Sequence, residues 1–336
     1  MCRGFKKTIM IIQSQFTPAS GLSNSHLQTL LPTFIRNQLK FAGVEQTLEL
    51  EDGDFVDLVW TEKPVSSKNT KPIVVIFHGL EGSIHSSYAK GMMRAIKEQG
   101  WTGLLMHFRG CSQNLNRLPR TYHSGETGDA KQLLSWLKKH YEDHPLAAIG
   151  FSLGGNMLLK LQAELGSESP LKAAVSVCAP VLLNNCANRL NSGFSKIYQR
   201  YLLGHLKTKV RVNALRHDYE TLINLKTRDI NRLKNFWLFD DLVTAPLHGF
   251  SGVDEYYSDS SARQYLKNIQ TPALILQALD DPFMTRDIIP QASELSACTE
   301  LELSKHGGHV GFIGGSVLKP EYWLEKRLPE YLSDYI

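Results

Sequence analysis

The sequence has no hydrophobic run long enough to cross a membrane. The longest early apolar run, Ile9 to Ile12, contains four residues, whereas a membrane-spanning helix needs about 20 and a signal-peptide core about 7. The pattern therefore predicts neither membrane insertion nor secretion. We expect a cytoplasmic protein.

Cysteine is scarce, and its spacing argues against a zinc site or a disulfide framework. The 336 residues include five cysteines, an odd number, with no C-x-x-C pair and no cysteine and histidine cluster at zinc-ligand spacing. They are Cys2, Cys111, Cys178, Cys186 and Cys298. These positions predict a reducing compartment, and they indicate neither a structural metal nor a cofactor.

The chain also lacks a large excess of either charge. It has 37 Lys and Arg against 33 Asp and Glu, a net charge of +4, which is too small to predict nucleic acid binding. Apolar residues make up 42% and charged residues 21%, as in ordinary folded globular proteins. The length allows one large domain or two modest ones.

Strand and helix patterns alternate from residue 44 onward. Residues 44–61 alternate apolar and polar side chains around Asp52-Gly53, which is typical of a β-hairpin. The apolar run Ile73 to Phe77 predicts a strand buried on both faces of a parallel sheet. Further strands are predicted at Gly103–His107, Leu146–Ile149, Ala173–Cys178, Ala273–Leu276 and Glu300–Leu303, and helices at Tyr88–Glu98 and Asp129–Lys139. The pattern predicts an α/β fold with a mostly parallel eight-stranded sheet and helices on both faces.

Two segments fall outside this alternation. Residues 1–43 have a basic start and no regular pattern, so we interpret them as an irregular N-terminal arm. The gap from Pro180 to Ala262 is far longer than the usual 2 to 6 residue connection in α/β units. We therefore predict a helical cap at 181–262, inserted into a core formed by 44–180 and 263–336.

The run Gly150-Phe151-Ser152-Leu153-Gly154 fits the motif G-x-S-x-G and lies between a predicted strand and a helix-like run. A serine in a tight strand-to-helix turn needs neighbours without side chains, and the helix amino end points backbone donors at developing negative charge. The alternative is a glycine-rich turn that holds an inert serine. The motif in this context predicts that Ser152 is a nucleophile.

A serine nucleophile needs a histidine base to remove its proton. His309 follows the last predicted strand and has glycines on both sides of it in Gly307-Gly308-His309-Val310-Gly311. Its position in the chain and its glycine-rich loop favour it. His306 in the same loop is the rival, with a surface or packing role as its simpler interpretation.

The acid that orients the histidine is expected after a strand, between the serine and the histidine in the chain. Asp280 and Asp281 both meet this condition, and two adjacent side chains cannot both point at one imidazole. We favour Asp281, because Pro282 restricts the backbone of the residue before it. Asp280 would then be a capping or turn residue.

An oxyanion hole in such a site uses the amide after the nucleophile and one amide from the loop after an earlier central strand. These amides would belong to Leu153 and Leu80. Leu80 lies in His78-Gly79-Leu80-Glu81-Gly82, directly after the buried run that ends at Phe77. A plain strand-to-helix turn is the alternative for this loop.

Seven segments together resemble the α/β-hydrolase superfamily and, within it, the YheT-like hydrolases related to mammalian α/β-hydrolase-domain esterases and phospholipases. They are Ser23–Thr29, Phe77–Gly82, His107–Ser112, Tyr122–Thr127, Gly150–Asn156, Asp280–Met284 and Gly307–Phe312. The resemblance covers nearly the whole chain. It implies hydrolysis of carboxylic esters, with Ser152 as nucleophile, Asp281 as acid and His309 as base.

Other activities are compatible with the same fold and the same three residues. A thioesterase or acyltransferase would use the same three residues, and a catalytically silent binding protein would share the fold. The substrate is expected to be a small-molecule or lipid ester of short to medium chain length, and the oligomeric state is not indicated. Arg109, His123 and Glu126 are equally compatible with substrate contacts and with buried ion pairs.

Positive charge is concentrated in the predicted cap. Between Arg189 and Lys234 there are eleven basic and three acidic residues, a surplus of eight. With apolar residues interspersed, this segment predicts steering of anionic lipids or peripheral contact with an anionic membrane. The simpler alternative is a cap that buries its apolar residues and leaves lysine and arginine in water.

Overall fold

A nine-stranded sheet forms the centre of the protein. The computed structural model describes residues 10–36, 39–64, 70–316 and 318–336. In chain order the strands are β1 (Met10–Gln13), β2 (Val44–Glu49), β3 (Phe55–Trp60), β4 (Ile73–Phe77), β5 (Thr102–Met106), β6 (Leu146–Phe151), β7 (Leu171–Val177), β8 (Ala273–Ala278), β9 (Thr299–Ser304), β10 (Ile313–Gly315) and β11 (Pro320–Tyr322). Strands β10 and β11 form a separate antiparallel pair.

The α-helices connect these strands. In chain order they are α1 (Ser25–Ile35), α2 (Ser87–Glu98), α3 (Gly128–His140), α4 (Leu153–Leu165), α5 (Leu183–Leu190), α6 (Lys196–Ala214), α7 (Tyr219–Ile223), α8 (Phe236–Phe239), α9 (Ala245–Leu247), α10 (Val253–Ser260) and α11 (Leu324–Leu332). Over the described ranges, none of them is both long enough and apolar enough to span a bilayer.

The strand order of the main sheet is β1-β9-β8-β7-β6-β4-β5-β3-β2. Strand β3 pairs antiparallel with both β2 and β5, and the remaining neighbours are parallel. The chain leaves β4 for β5 on one side and then returns to add β6 on the other. In open α/β sheets, a crevice forms at the carboxyl ends of the strands where the order reverses in this way. The mostly parallel α/β fold predicted from the sequence is confirmed.

The predicted strand count was wrong by one, because the part of the predicted N-terminal arm that the structure describes contains a strand and a helix, while residues 1–9 lie outside the described ranges. Strand β1 pairs in parallel with β9, and Met10 lies opposite Glu300. Helix α1 follows at Ser25, with Asn24 as its N-cap. The β1 signal is only four residues long, and its hydrogen-bonding partner lies about 290 residues away in the chain. A local pattern cannot show such a pairing.

The sheet divides the core into two layers, and strand β4 contributes side chains to both. Its side chains point alternately to the two faces of the sheet. Val74 and Ile76 pack in one buried cluster with residues of α2 and α11. Ile73, Val75 and Phe77 pack in the other cluster with residues of α3 and α4. All five are fully buried, as the unbroken apolar run predicts.

The segment between β7 and β8 is helical, as the length of the gap predicts. It has its own buried apolar cluster, which includes Tyr198, Leu203, Ile230, Phe236 and Tyr256. A separate cluster of this kind is what an inserted cap needs in order to hold its shape over the sheet. We propose residues 181–262 as the cap, with 44–180 and 263–336 as the core.

Candidate active site

Ser152 occupies the sharp turn between β6 and α4. Its backbone has φ +52° and ψ −119°, a conformation that L-residues rarely adopt and that is held by the surrounding structure. A Cβ atom at Gly150 would lie 2.4 Å from the carbonyl oxygen of Gly154, and one at Gly154 would lie 2.4 Å from that of Phe77. The motif glycines are therefore required by close packing of backbone against backbone.

His309 connects the predicted serine to one of the two predicted acids. Its Nε2 atom lies 2.9 Å from Oγ of Ser152, and its Nδ1 atom lies 2.8 Å from Oδ2 of Asp281. The ring of Phe283 stacks on the imidazole, with centroids 3.9 Å apart and planes within 5°. The stacked ring limits the orientations of the imidazole. One orientation then allows the hydrogen bonds to Ser152 and to Asp281 at the same time. Such a chain can move the serine proton to Nε2 while the carboxylate holds Nδ1–H.

The adjacent acids separate in the structure. Asp281 is buried, and its Oδ1 atom accepts a hydrogen bond from the amide of Phe283 at 2.8 Å. Asp280 turns the other way, accepts a hydrogen bond from the amide of Gly308 at 3.0 Å, and faces Nδ1 of His306 at 3.5 Å. Burial raises the pKa of the Asp280 carboxyl. The rival residues therefore pair with each other beside the loop.

The loop after β4 lies against the serine turn. A Cβ atom at Gly79 would lie 3.2 Å from Cβ of Ser152, while the Gly79 amide donates to the Tyr88 hydroxyl at 2.8 Å. Within the described part of the chain, the amides of Leu80 and Leu153 donate no hydrogen bond. Both residues line a cavity that also contacts Ser152. Two free amides beside a nucleophile are the donors that a developing oxyanion needs.

Helix α1 holds the histidine loop, which the sequence pattern did not predict. The amide of His309 donates to the Thr29 hydroxyl at 2.9 Å. Gln28 is fully buried, and its amide group exchanges hydrogen bonds with the backbone of Ile313 at 2.7 and 3.0 Å. A Cβ atom at Gly311 would lie 2.1 Å from the Gln28 carbonyl oxygen. The only sequence signal was the family-like segment Ser23–Thr29.

The Arg109 side chain is a structural ion pair. It is buried, and it donates to Asp129 through Nε at 2.7 Å and Nη2 at 2.6 Å. Its Nη1 atom donates to Asp52 at 2.7 Å and to Asp54 at 3.2 Å. The guanidinium therefore ties the β2–β3 turn to the start of α3 and does not face the serine.

His123 and Glu126 lie side by side, with Nε2 of His123 3.7 Å from Oε2 of Glu126. Glu126 pairs with Arg120, and it accepts a hydrogen bond from the Gly128 amide at 2.9 Å. His123 lines the cavity beside Ser152, and burial lowers its pKa well below the ordinary value. A neutral imidazole in that wall is compatible with an apolar group bound there.

One group of potential metal ligands occurs within the described ranges. Cys178, Asp281 and His309 offer ligand atoms within 4.8 Å of one another. The carboxylate and the imidazole are already hydrogen-bonded to each other, and burial raises the pKa of the Cys178 thiol well above its ordinary value. A neutral thiol is a poor metal ligand, so this donor set does not suit a metal ion.

Two cavities meet at Ser152. The small cavity, about 110 Å³, lies between the core and the cap and contacts Leu80 and Leu153. The large cavity, about 470 Å³, lies between α1, α6 and the start of α11, and contacts His309. Both are lined mainly by apolar side chains. The serine is therefore accessible to two separate apolar groups of one ligand.

Comparisons with known proteins agree with this architecture. Residues 72–316 match the alpha/beta hydrolase fold. The chain is 47% identical over 324 residues to YheT of Escherichia coli (strain K12), a protein named as an esterase, covering 96% of this chain and 94% of that protein. It is 25% identical over 331 residues to phospholipase ABHD3 of Bos taurus, covering 97% and 80%. The structure of the Pyrococcus furiosus esterase Pf2001 aligns with a TM-score of 0.56 at 16% identity, covering 99% of this chain and 98% of that chain. The chain belongs to the α/β-hydrolase family.

Proposed function

We propose that the protein hydrolyses carboxylic esters through an acyl-enzyme formed on Ser152. The observation that carries this proposal is the hydrogen-bonded chain from Ser152 through His309 to Asp281, with distances of 2.9 and 2.8 Å. The relatives named as an esterase and a phospholipase support an ester substrate. We propose short- to medium-chain or lipid-like esters, since both cavities at Ser152 are mainly apolar.

In the first half-reaction, Oγ of Ser152 forms a bond to the ester carbonyl carbon as its proton moves to Nε2 of His309. The carbonyl oxygen becomes an oxyanion and accepts hydrogen bonds from the amides of Leu80 and Leu153. The bond to the alcohol oxygen then breaks, and His309 donates the proton to that oxygen. The alcohol leaves, and the acyl group stays on Ser152.

In the second half-reaction, water takes the place of the alcohol. His309 removes a proton from the water, whose oxygen bonds to the acyl carbon. The same two amides hold the second oxyanion. The bond to Oγ breaks, and His309 returns its proton to Ser152 as the carboxylic acid leaves. Asp281 stays ionised and keeps the imidazole in the required orientation throughout.

Ester hydrolysis by a serine variant and its control tests this proposal. Ser152→Ala should lower kcat for a p-nitrophenyl ester by about 10⁶-fold, as expected when a nucleophile is removed. The exposed Ser258 on α10 supplies the matched control, and Ser258→Ala should retain the wild-type rate. Hydrolysis by the Ser152 variant near the wild-type rate would refute the proposal.

We also propose that the cap contacts anionic lipid surfaces through the start of α6. Ile197 is 52% and Tyr201 67% exposed, and each directly follows an exposed basic residue, Lys196 or Arg200. Apolar and basic side chains side by side suit a surface of anionic lipids. Other basic residues of the segment are engaged, as in the ion pair of Lys226 with Glu220.

Vesicle sedimentation tests this contact. Binding should be stronger to anionic than to neutral vesicles, should weaken with salt, and should fall in the double variant Lys196→Gln, Arg200→Gln. Equal binding to both kinds of vesicle at low salt would contradict the proposal.

A further inference from the structure

The two cavities at Ser152 differ in their relation to the imidazole. His309 lines the large cavity but is not among the described residues that line the small one. The small cavity instead contacts Leu153, and Leu80 contacts both. Ser152 therefore lies at a boundary, with the proton donor on one side and the Leu153 amide on the other.

The direction of proton transfer indicates which cavity receives the alcohol group and which receives the acyl group. When the tetrahedral intermediate collapses, the alcohol oxygen must receive a proton from Nε2 of His309, so it must lie within hydrogen-bond reach of that atom. The alcohol group then extends into the cavity that His309 lines. The acyl group, on the opposite side of the carbonyl carbon, extends into the small cavity.

We infer that the protein prefers esters that join a short acyl group, of about four carbons, to a larger apolar alcohol. This inference rests on the proposed ester hydrolysis at Ser152 and adds the division of the substrate between the two cavities. The relative volumes carry it, since the cavity on the alcohol side has about 470 Å³ and that on the acyl side about 110 Å³.

The small cavity sets the limit on the acyl group. Its walls are buried side chains of the cap, including Leu183 and Ala187 of α5, Val210 of α6 and Phe236 of α8. An apolar cavity of about 150 Å³ admits benzene, so one of 110 Å³ admits an acyl chain of about four carbons. A longer chain would have to displace side chains of the packed cap cluster, which is costly.

The large cavity is less restrictive on the alcohol side. It is lined by Leu30 and Phe34 of α1 and by Ile197 and Tyr201 of α6, and Phe34 is 68% exposed. The rim is therefore apolar and reaches the surface. An alcohol group that fills the cavity can extend past this rim without displacing buried atoms.

Two ester series measured with the wild-type protein test the inference. In the first series the alcohol is constant and the acyl group grows from acetyl to decanoyl. We expect kcat/KM to rise by about fourfold per methylene up to four carbons, as each methylene becomes buried, and to fall by at least tenfold by eight carbons. In the second series butyrate is constant and the alcohol grows from methyl to octyl. Here kcat/KM should rise or stay level throughout.

A variant in each cavity separates the two sides. Ala187→Val narrows the small cavity and should lower kcat/KM for butyrate esters at least tenfold while acetate esters lose less than threefold. Ile197→Trp narrows the large cavity. This variant should lower kcat/KM for octyl esters and leave kcat/KM for methyl esters of the same acid unchanged. If the Ala187 variant does not fold, the wild-type series still decides the question.

Failure of this inference is distinguishable from failure of the proposed function. A wild-type preference for long acyl groups on small alcohols, with Ser152→Ala inactive, would overturn the cavity assignment and leave ester hydrolysis at Ser152 in place. Activity in the Ser152 variant would instead overturn the proposed function itself.

Discussion

Lys209 of the cap donates a hydrogen bond to the Glu81 carboxylate at 2.6 Å, and Glu81 directly follows Leu80 in the loop after β4. The ammonium group is largely buried and lies 5.1 Å from the ring centroid of Tyr122. The Tyr122 hydroxyl accepts from the Glu81 amide at 2.8 Å and donates to the Glu81 carboxylate at 2.7 Å. Glu81 has a left-handed backbone, with φ +53°. Cap and core thus meet beside the proposed oxyanion hole.

Removal of the Lys209 charge should disturb that loop. In Lys209→Met, Glu81 loses its buried cation, and its strained backbone is free to relax away from the geometry that presents the Leu80 amide. Because an oxyanion donor acts in the transition state, we expect kcat for an acetate ester to fall about tenfold with little change in KM. Lys196→Met, at an exposed position of the same helix, is the control. An unchanged kcat in folded Lys209→Met would contradict this role.

The two adjacent acids should respond unequally to amide substitution. Asp281→Asn should lower kcat by about 10⁴-fold, because the amide favours the wrong imidazole tautomer. Asp280→Asn keeps an oxygen to accept from Gly308, so its loss should stay below about tenfold. Steady-state kinetics on both variants measure the contrast within one protein. If Asp280→Asn is the more damaging in folded protein, the two roles must be exchanged.

Thr29 should act as a positioning residue for the histidine. Thr29→Val leaves the His309 amide without its 2.9 Å acceptor, which should cost about 1 to 3 kcal/mol of stability and lower kcat several-fold while KM is retained. Thr33, one turn later on α1, is exposed and donates to the Leu30 carbonyl rather than to the histidine loop. Thr33→Val should change neither quantity, and equal effects of the two substitutions would argue against a positioning role.

Acid should destabilise the protein through His78. Burial lowers the pKa of His78 to about 3. In the unfolded chain this imidazole gains a proton near pH 6.5, whereas in the folded protein it stays neutral at that pH. The contribution of His78 to the free energy of unfolding is therefore fully present above pH 6.5 and is lost as the pH falls. The loss should be about 2 kcal/mol between pH 7 and pH 5.

Urea unfolding at the two pH values measures this contribution. His78→Gln should reduce the difference between pH 7 and pH 5 by that amount, whatever its effect on overall stability, while the exposed His85→Gln should leave it as in the wild type. A pH dependence that is the same in wild type and His78→Gln would show that His78 does not titrate as argued.

Features encoded locally were predictable from the sequence. The five-residue apolar run of β4 needs burial on both faces, and the glycines around Ser152 are needed by the turn itself. The positions of Ser152 and His309 relative to strands followed from the alternation of elements. The structure brings both together with Asp281.

Features that depend on distant pairing were not predictable. Strand β1 is defined by its partner β9, and Thr29 acts on His309 across 280 residues of chain. The sequence argument for Asp281 over Asp280 depended on Pro282 alone. The different directions of the two carboxylates became visible only in the folded turn. Counting charges overestimated the free positive surface of the cap, because residues such as Lys209 are buried in ion pairs.

The central claim is that Ser152 forms a covalent intermediate, and a stable analogue of that intermediate tests it most directly. Treatment with diethyl p-nitrophenyl phosphate, followed by intact mass measurement and peptide mapping, should show one diethylphosphoryl group per chain, on Ser152. Esterase activity should fall in proportion to the modified fraction, and Ser152→Ala should stay unmodified. Complete modification with full retention of activity, or modification at another residue while Ser152 stays free, would contradict the account.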